Sequence, residues 1–217
     1  MRGLRGDQPK AFEAIRKFIE GGDKMHLLSG AAGTGKTFTL GEVVSYLKMK
    51  RISVIITAPT HKAVKVLKAL IKSDDNYSTI HSALGMKEDT SSEVIKFKSD
   101  PNLPYPAENY KLVIIDEASM LDDVIFEELV NLSERGKKIL FVGDPYQIPP
   151  VNHIHAKPFL KSIQAQYHIG ISTLHEIIRQ AEGSPIITYA TSIRSDIHKP
   201  VQIFNPQRLQ TELGAVF

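Results

Sequence analysis

The stretch Ser29-Gly30-Ala31-Ala32-Gly33-Thr34-Gly35-Lys36-Thr37 constrains this chain more than any other. It fits G-x-x-x-x-G-K-[ST], a glycine-rich turn that cradles phosphate groups. The apolar Met25-His26-Leu27-Leu28 just before it reads as a buried strand over about 24–29, and Phe38 to Leu47 after it reads as a helix. Glycines 30, 33 and 35 let backbone N–H groups turn toward phosphate oxygens with no Cβ in the way. Lys36 offers a point charge to the β- and γ-phosphates, and Thr37 a hydroxyl to Mg²⁺. The helix N-terminus adds its dipole. The nucleotide contacts expected from this loop are Gly30, Ala31, Ala32, Gly33, Thr34, Gly35, Lys36, Thr37 and Phe38.

Composition narrows the partners less. At 217 residues and 42% hydrophobic content, one domain with decoration is the simplest organisation, and its core is ample. A net charge of +3 fits a mixed, solvated surface and does not by itself call for nucleic acid. Position says more: Lys48, Lys50, Arg51, Lys62, Lys65, Lys68 and Lys72 precede Asp74 with no acidic residue among them, a candidate basic face. With no cysteine there is neither a disulfide framework nor a thiolate metal site, and the histidines show no metal-ligand spacing. No apolar run approaches the ~20 residues of a membrane span, and no apolar segment follows the first arginines as in a signal peptide. A cytoplasmic, soluble protein with no membrane partner is the expectation.

Asp7 and Pro9 open a helix whose apolar face holds Phe12, Ile15, Phe18 and Ile19, with Gly21-Gly22 ending it. Ile52–Thr57 reads as a strand and Pro59–Ile71 as a helix. Lys111–Asp116 is another strand, Asp122–Ser133 a helix, and Lys138–Gly143 a further strand. Four apolar strands alternating with helices predict a parallel sheet covered on both faces. Residues 86–110 carry three prolines and little periodicity, apart from a Val94–Phe97 strand candidate, and read as a surface insertion. Beyond 155 the elements are less clear; 184–195 reads as a helix.

Two further segments carry chemistry. Ile114-Ile115-Asp116-Glu117 ends a buried strand in carboxylates, at the ligand-binding edge of an open α/β sheet. Asp116 suits Mg²⁺ held through water, and Glu117 suits a general base for the attacking water. Gly143-Asp144-Pro145-Tyr146-Gln147 ends the next strand, and the Gln147 amide can donate to a γ-phosphate or orient water. An ordinary Asp-Pro turn is the alternative. The Gln8 amide can pair with adenine N6 and N7; an unremarkable surface glutamine is the alternative.

In order, Gln8, GAAGTGKT (30–37), TAPTHKA (57–63), TIHSALG (79–85), IIDEASM (114–120), LFVGDPYQIPPV (140–151) and LHEIIRQ (174–180) resemble the motifs of superfamily 1 DNA helicases of the RecD/Dda-like group, over about residues 7–195. The resemblance implies a RecA-like P-loop NTPase fold with a small inserted subdomain, and ATP-driven movement on single-stranded DNA in the 5′ to 3′ sense. It implies that Gln8 reads adenine. It also makes Lys36, Asp116, Glu117, Gln147 and Arg179 the catalytic set, with Arg179 and Gln147 reaching the γ-phosphate and Thr37 and Asp116 holding Mg²⁺. Pro59, Thr60, His61, Thr79 and His81 fall in DNA-contacting segments, where phosphate contacts position a strand without reading sequence and Pro59 or His61 can stack on bases. Thr60 and Thr79 equally suit helix caps. The insertion at 86–110 takes the place of a strand-separating pin, with Phe97 its candidate apolar wedge.

The expected domain organisation follows. Residues 1–195 form a first RecA-like ATPase domain, and 196–217 begin a linker toward a second such domain, whose motifs are not found in this sequence. Alone, the chain is expected to bind nucleotide and hydrolyse it slowly without unwinding. A second helicase domain, or replication and repair proteins, are the expected partners. The competing expectation is a nucleotide-regulated single-strand-binding or partner-docking module with little turnover. A small-molecule P-loop kinase fits least, since TAPTHKA and GDPYQIPPV have no place in one.

Overall fold

A strand that is apolar at every position needs a core on each of its faces. Met25–Gly30 (β1), Val54–Ala58 (β2) and Leu112–Ile115 (β6) are buried at every residue, and Lys138–Gly143 (β7) at all but its first. A computed structural model describes residues 3–89, 96–100, 102–144, 147, 167 and 169–178. In it these strands lie side by side and are flanked by Asn76–Thr79 (β3) and Gly170–Leu174 (β8). The sheet runs β3-β2-β6-β7-β1-β8, with every neighbouring pair parallel.

Register sorts the side chains into two cores. Leu27, Ile55, Val113, Ile115, Ile139 and Phe141 point to one face, where the helices Ile80–Ala83 (α4) and Asp123–Glu134 (α5) cover them. Leu28, Ile56, Ile114, Leu140 and Val142 point to the other, under Gln8–Glu20 (α1), Lys36–Met49 (α2) and His61–Ile71 (α3). The mainly parallel α/β sheet with helices on both faces is therefore the architecture the sequence predicts.

Differences lie at the edges. The sequence reads four strands and the sheet has six; β3 and β8 are the additions. The helix expected from Phe38 starts at Lys36, because Gly35 at φ 82° turns the loop directly into the first helical residue. Asp7 occupies the N-cap position of α1 but does not cap it; its Oδ2 instead accepts from the His175 amide at 3.0 Å, so the helix start is tied to the chain leaving β8. At the other end of α1, Lys138 Nζ donates to the carbonyls of Phe18, Gly21 and Asp23 at 2.9, 2.9 and 2.6 Å.

Within the insertion, Met86–Asp89 (β4) and Lys96–Ser99 (β5) form an antiparallel pair in which Glu88 faces Phe97. Phe97 is not an exposed apolar tip. It is half-buried against the core beneath, its ring stacked on His81 with centroids 3.7 Å apart. The helix expected at 184–195 and the residues from 196 onward lie outside the described residues. Among the described residues no helix is long and apolar enough to cross a membrane.

Candidate active site

Because all six strands are parallel, their C-terminal ends share one edge, and the loops that leave it collect the polar motifs. The loop after β1 is held by its own chain. Thr34 Oγ1 donates to Ala31 O at 2.9 Å, and Lys36 Nζ donates to the carbonyls of Gly30 and Ala31 at 2.8 and 3.0 Å. Gly33 and Gly35 sit at φ 85° and 82°, a region that costs other residues strain. A Cβ on Gly30 would stand 2.6 Å from Thr34 Oγ1, so the bare backbone there is a packing requirement. Thr37 is half-buried at the first turn of α2, Ala32 is exposed, and Phe38 is exposed beside Gly3.

Gln8 is buried under this loop rather than lying on the surface. Its Oε1 accepts from the Arg5 amide at 3.0 Å and its Nε2 donates to Thr34 O at 3.2 Å. The carboxamide thus braces the phosphate loop from below, a role the sequence reading did not include. The chain leaving β8 adds a second brace, the Ile178 amide donating to Gly33 O at 2.9 Å. Arg179, the next residue, lies outside the described residues.

Asp116 and Glu117 follow β6. The Asp116 amide donates to Thr57 O at 2.9 Å, and Thr57 Oγ1 donates to Ile114 O at 2.8 Å, so β2 fixes the strand end that carries the carboxylates. Burial pushes the Asp116 carboxyl up to about 6. The Glu117 backbone N–H and the Lys36 ammonium favour its ionised form, while the Glu117 charge opposes it. Glu117 itself is exposed and held at φ 53°, ψ 38°, left-handed backbone that a glutamate adopts at a cost.

Ala118–Met120 form one 3₁₀ turn after Glu117, and within it Ser119 is buried with its hydroxyl donating to Gln147 Oε1 at 3.0 Å. The Gln147 amide donates to Asp144 O at 3.1 Å. The segments after β6 and β7 are thereby joined side chain to side chain. Ser119 lies in the IIDEASM segment, yet a serine two places beyond a carboxylate pair carries no sequence signal of its own.

The remaining candidates lie on the other half of the edge, after the neighbouring strands β2 and β3, which pair Ala58 with Thr79. Pro59 is half-buried and His61 exposed at the start of α3, with Thr60 capping that helix by accepting from the Ala63 amide at 3.2 Å. Thr79 is buried and caps α4, accepting from the Ser82 amide at 3.2 Å and donating to Ser82 Oγ at 2.9 Å. Its side chain is committed to the cap. His81 is half-buried beneath Phe97, and burial holds its imidazole below the usual histidine range, with Asp122 opposing.

Among the described residues no cluster of histidine and carboxylate side chains would hold a metal ion unaided. The oxygen donors at this edge are instead the Thr37 hydroxyl and the adjacent carboxylates of Asp116 and Glu117. That sparse set matches Mg²⁺, which keeps waters and takes phosphate oxygens as further ligands.

A phosphate loop after β1 and a carboxylate pair after β6, with β7 between them in an open parallel sheet, define a RecA-like P-loop NTPase domain. The chain belongs to the AAA domain family, which matches residues 6–207, and it is a superfamily 1 helicase domain of the RecD/Dda-like group. It is 29% identical over 208 residues to the ATP-dependent RecD2 DNA helicase of Deinococcus radiodurans, covering 96% of this chain and 26% of that protein. It is 32% identical over 197 residues to the ATP-dependent DNA helicase dda of Enterobacteria phage T4, covering 88% and 43%. The crystal structure of Pif1 helicase from Candida albicans shares the fold, with a TM-score of 0.65 at 24% identity over 89% of this chain and 44% of that one. The chain thus spans less than half the length of each of these relatives.

Proposed function

We propose that this chain is the ATP-hydrolysing motor domain of a DNA helicase that moves on single-stranded DNA in the 5′ to 3′ sense. The observation that carries the reading is the joining of Lys36, Asp116, Glu117 and Gln147 along one sheet edge whose other half carries Thr60 and His61. Relatives that are ATP-dependent DNA helicases support it.

In this reading the loop amides and Lys36 bind the phosphates of ATP, Lys36 leaving the carbonyls of Gly30 and Ala31 to do so. Thr37 and Asp116 hold Mg²⁺, which when bound neutralises charge on the β- and γ-phosphates. Glu117, exposed and aimed by its turn, takes a proton from the attacking water. Gln147 and Arg179 address the γ-phosphate. Gln8 keeps the loop in place and sets the adenine end of the site. Pro59, Thr60 and His61 meet the DNA strand, while Thr79 and His81 shape the floor beside them. Residues 1–195 act as one RecA-like domain, and a second RecA-like domain completes the cleft, closing and opening with each turnover. An intracellular location follows from the DNA substrate.

The test is steady-state ATP hydrolysis with and without an oligothymidylate strand, with Lys36→Ala as control, alongside binding of a fluorescent ADP analogue. Nucleotide binding that depends on Lys36 and turnover that rises with DNA are the expected results. A chain that binds nucleotide but never turns it over, with DNA or with a supplied second domain, would instead be a nucleotide-regulated binding module.

A further inference from the structure

The geometry points to Ser119 as the positioning residue that sets which end of the Gln147 carboxamide faces the γ-phosphate; this role rests on the ATPase reading above. A carboxamide has an acceptor end and a donor end, and only the donor end is useful beside an anion. In this structure the acceptor is occupied: Ser119 Oγ donates to Gln147 Oε1 at 3.0 Å. The end left to address a phosphate oxygen is therefore the NH₂ group. Turned over, the same side chain would present its oxygen to a phosphate oxygen, and two acceptors repel.

Ser119 is built to hold that choice. Its residue is 5% exposed, so the serine is the fixed partner of an exposed Gln147 side chain. It sits in the single 3₁₀ turn that starts from Glu117, which is closed by the Met120 amide donating to Glu117 O at 3.0 Å. The backbone of Gln147 is fixed independently through Asp144 O at 3.1 Å. With the backbone held at one end and the carboxamide oxygen at the other, the orientation that turns the NH₂ group outward is the one this bond favours. The same short turn also links the proposed general base to the phosphate-sensing glutamine, so a shift of Glu117 is passed to Gln147 through one hydroxyl.

The test compares ATP turnover and ADP-analogue affinity in Ser119→Ala, Ser119→Thr, Gln147→Ala, Gln147→Glu and the double variant Ser119→Ala/Gln147→Ala. Loss of one orienting hydrogen bond is expected to lower kcat in Ser119→Ala about tenfold, with KM for ATP and ADP-analogue affinity within about twofold of wild type. Ser119→Thr, which keeps the hydroxyl, should recover most of the rate. The double variant should be no slower than Gln147→Ala, because Ser119 acts only through Gln147. Gln147→Glu keeps an acceptor for Ser119 but has no donor for phosphate, and should be as slow as Gln147→Ala. Wild-type kcat in Ser119→Ala, or effects that multiply in the double variant, overturns the positioning role alone. Absence of any Lys36-dependent turnover in wild type overturns the ATPase reading and this role with it.

Discussion

Gly35 and Gln8 are packed so closely that a Cβ on Gly35 would stand 2.2 Å from Gln8 Nε2. Gly35 is also at φ 82°, so alanine there meets both a clash and backbone strain. Gly35→Ala should cost about 1–3 kcal/mol of stability and weaken ADP-analogue binding more than about tenfold. Gln8→Ala removes the clash but also the two hydrogen bonds that brace the loop, so the Gly35→Ala substitution should cost less stability in a Gln8→Ala background than in the wild type. An equal cost in the two backgrounds would show that the two residues do not press on each other. Denaturant unfolding and analogue titration read both effects.

His26 shows how burial becomes pH dependence. Its ring lies in β1 against Phe18, shares a hydrogen bond with Ser172 Oγ at 2.9 Å and passes over Gly170. Burial pushes the imidazole down to about 4, with Asp23 opposing slightly. The unfolded chain takes up the proton first as pH falls, so the stabilisation is complete above the unfolded value near 6.5 and is lost as pH drops toward 4. The full effect is at most ~3 kcal/mol. Urea midpoints between pH 7 and pH 5 should fall in wild type and fall less in His26→Gln. Parallel slopes would remove His26 as the source.

Lys138 is a cap supplied by another strand. Its ammonium serves three carbonyls where α1 ends and lies 4.9 Å from the Phe18 ring centroid. Lys138→Met keeps much of the packing but removes the donor, and should cost about 1–3 kcal/mol. Thermal melts test this; an unchanged melting temperature would mean that water replaces the ammonium at no cost.

What could be read in the sequence divides along burial. β1, β2, β6 and β7 are walled by core on both faces, so Leu27-Leu28 or Val113-Ile114 appear as unbroken apolar runs. β3 and β8 are edge strands with exposed or half-buried positions, and Asn76–Thr79 or Gly170–Leu174 show no such run. Parallel pairing supplied by the neighbour decides their state, and a local window does not contain the neighbour. The same holds at the site. Lys36 and Asp116 announce themselves by residue type and spacing. The bracing by Gln8 and the Ser119–Gln147 bond depend on segments 26 and 28 residues apart meeting in space. Phe97 was legible as an apolar residue in an insertion, but only the fold brings His81 beneath it.

Glu117 offers the sharpest trade between stability and chemistry. Its left-handed backbone, φ 53° and ψ 38°, costs a glutamate about 1 kcal/mol, whereas asparagine tolerates that region through its short polar side chain. Glu117→Gln removes the proposed base but keeps the strain; Glu117→Asn removes both. Each variant should bind ADP analogue as wild type does and lose ATP turnover by at least about a hundredfold. Their stabilities should then diverge, with Glu117→Asn more stable than Glu117→Gln by about 0.5–1 kcal/mol in denaturant unfolding. Equal stabilities would show that the turn is relaxed with a glutamate in it. Retained turnover in Glu117→Gln would move the general base to another residue. The two readouts are separable, since strain is felt without nucleotide and proton transfer only with it.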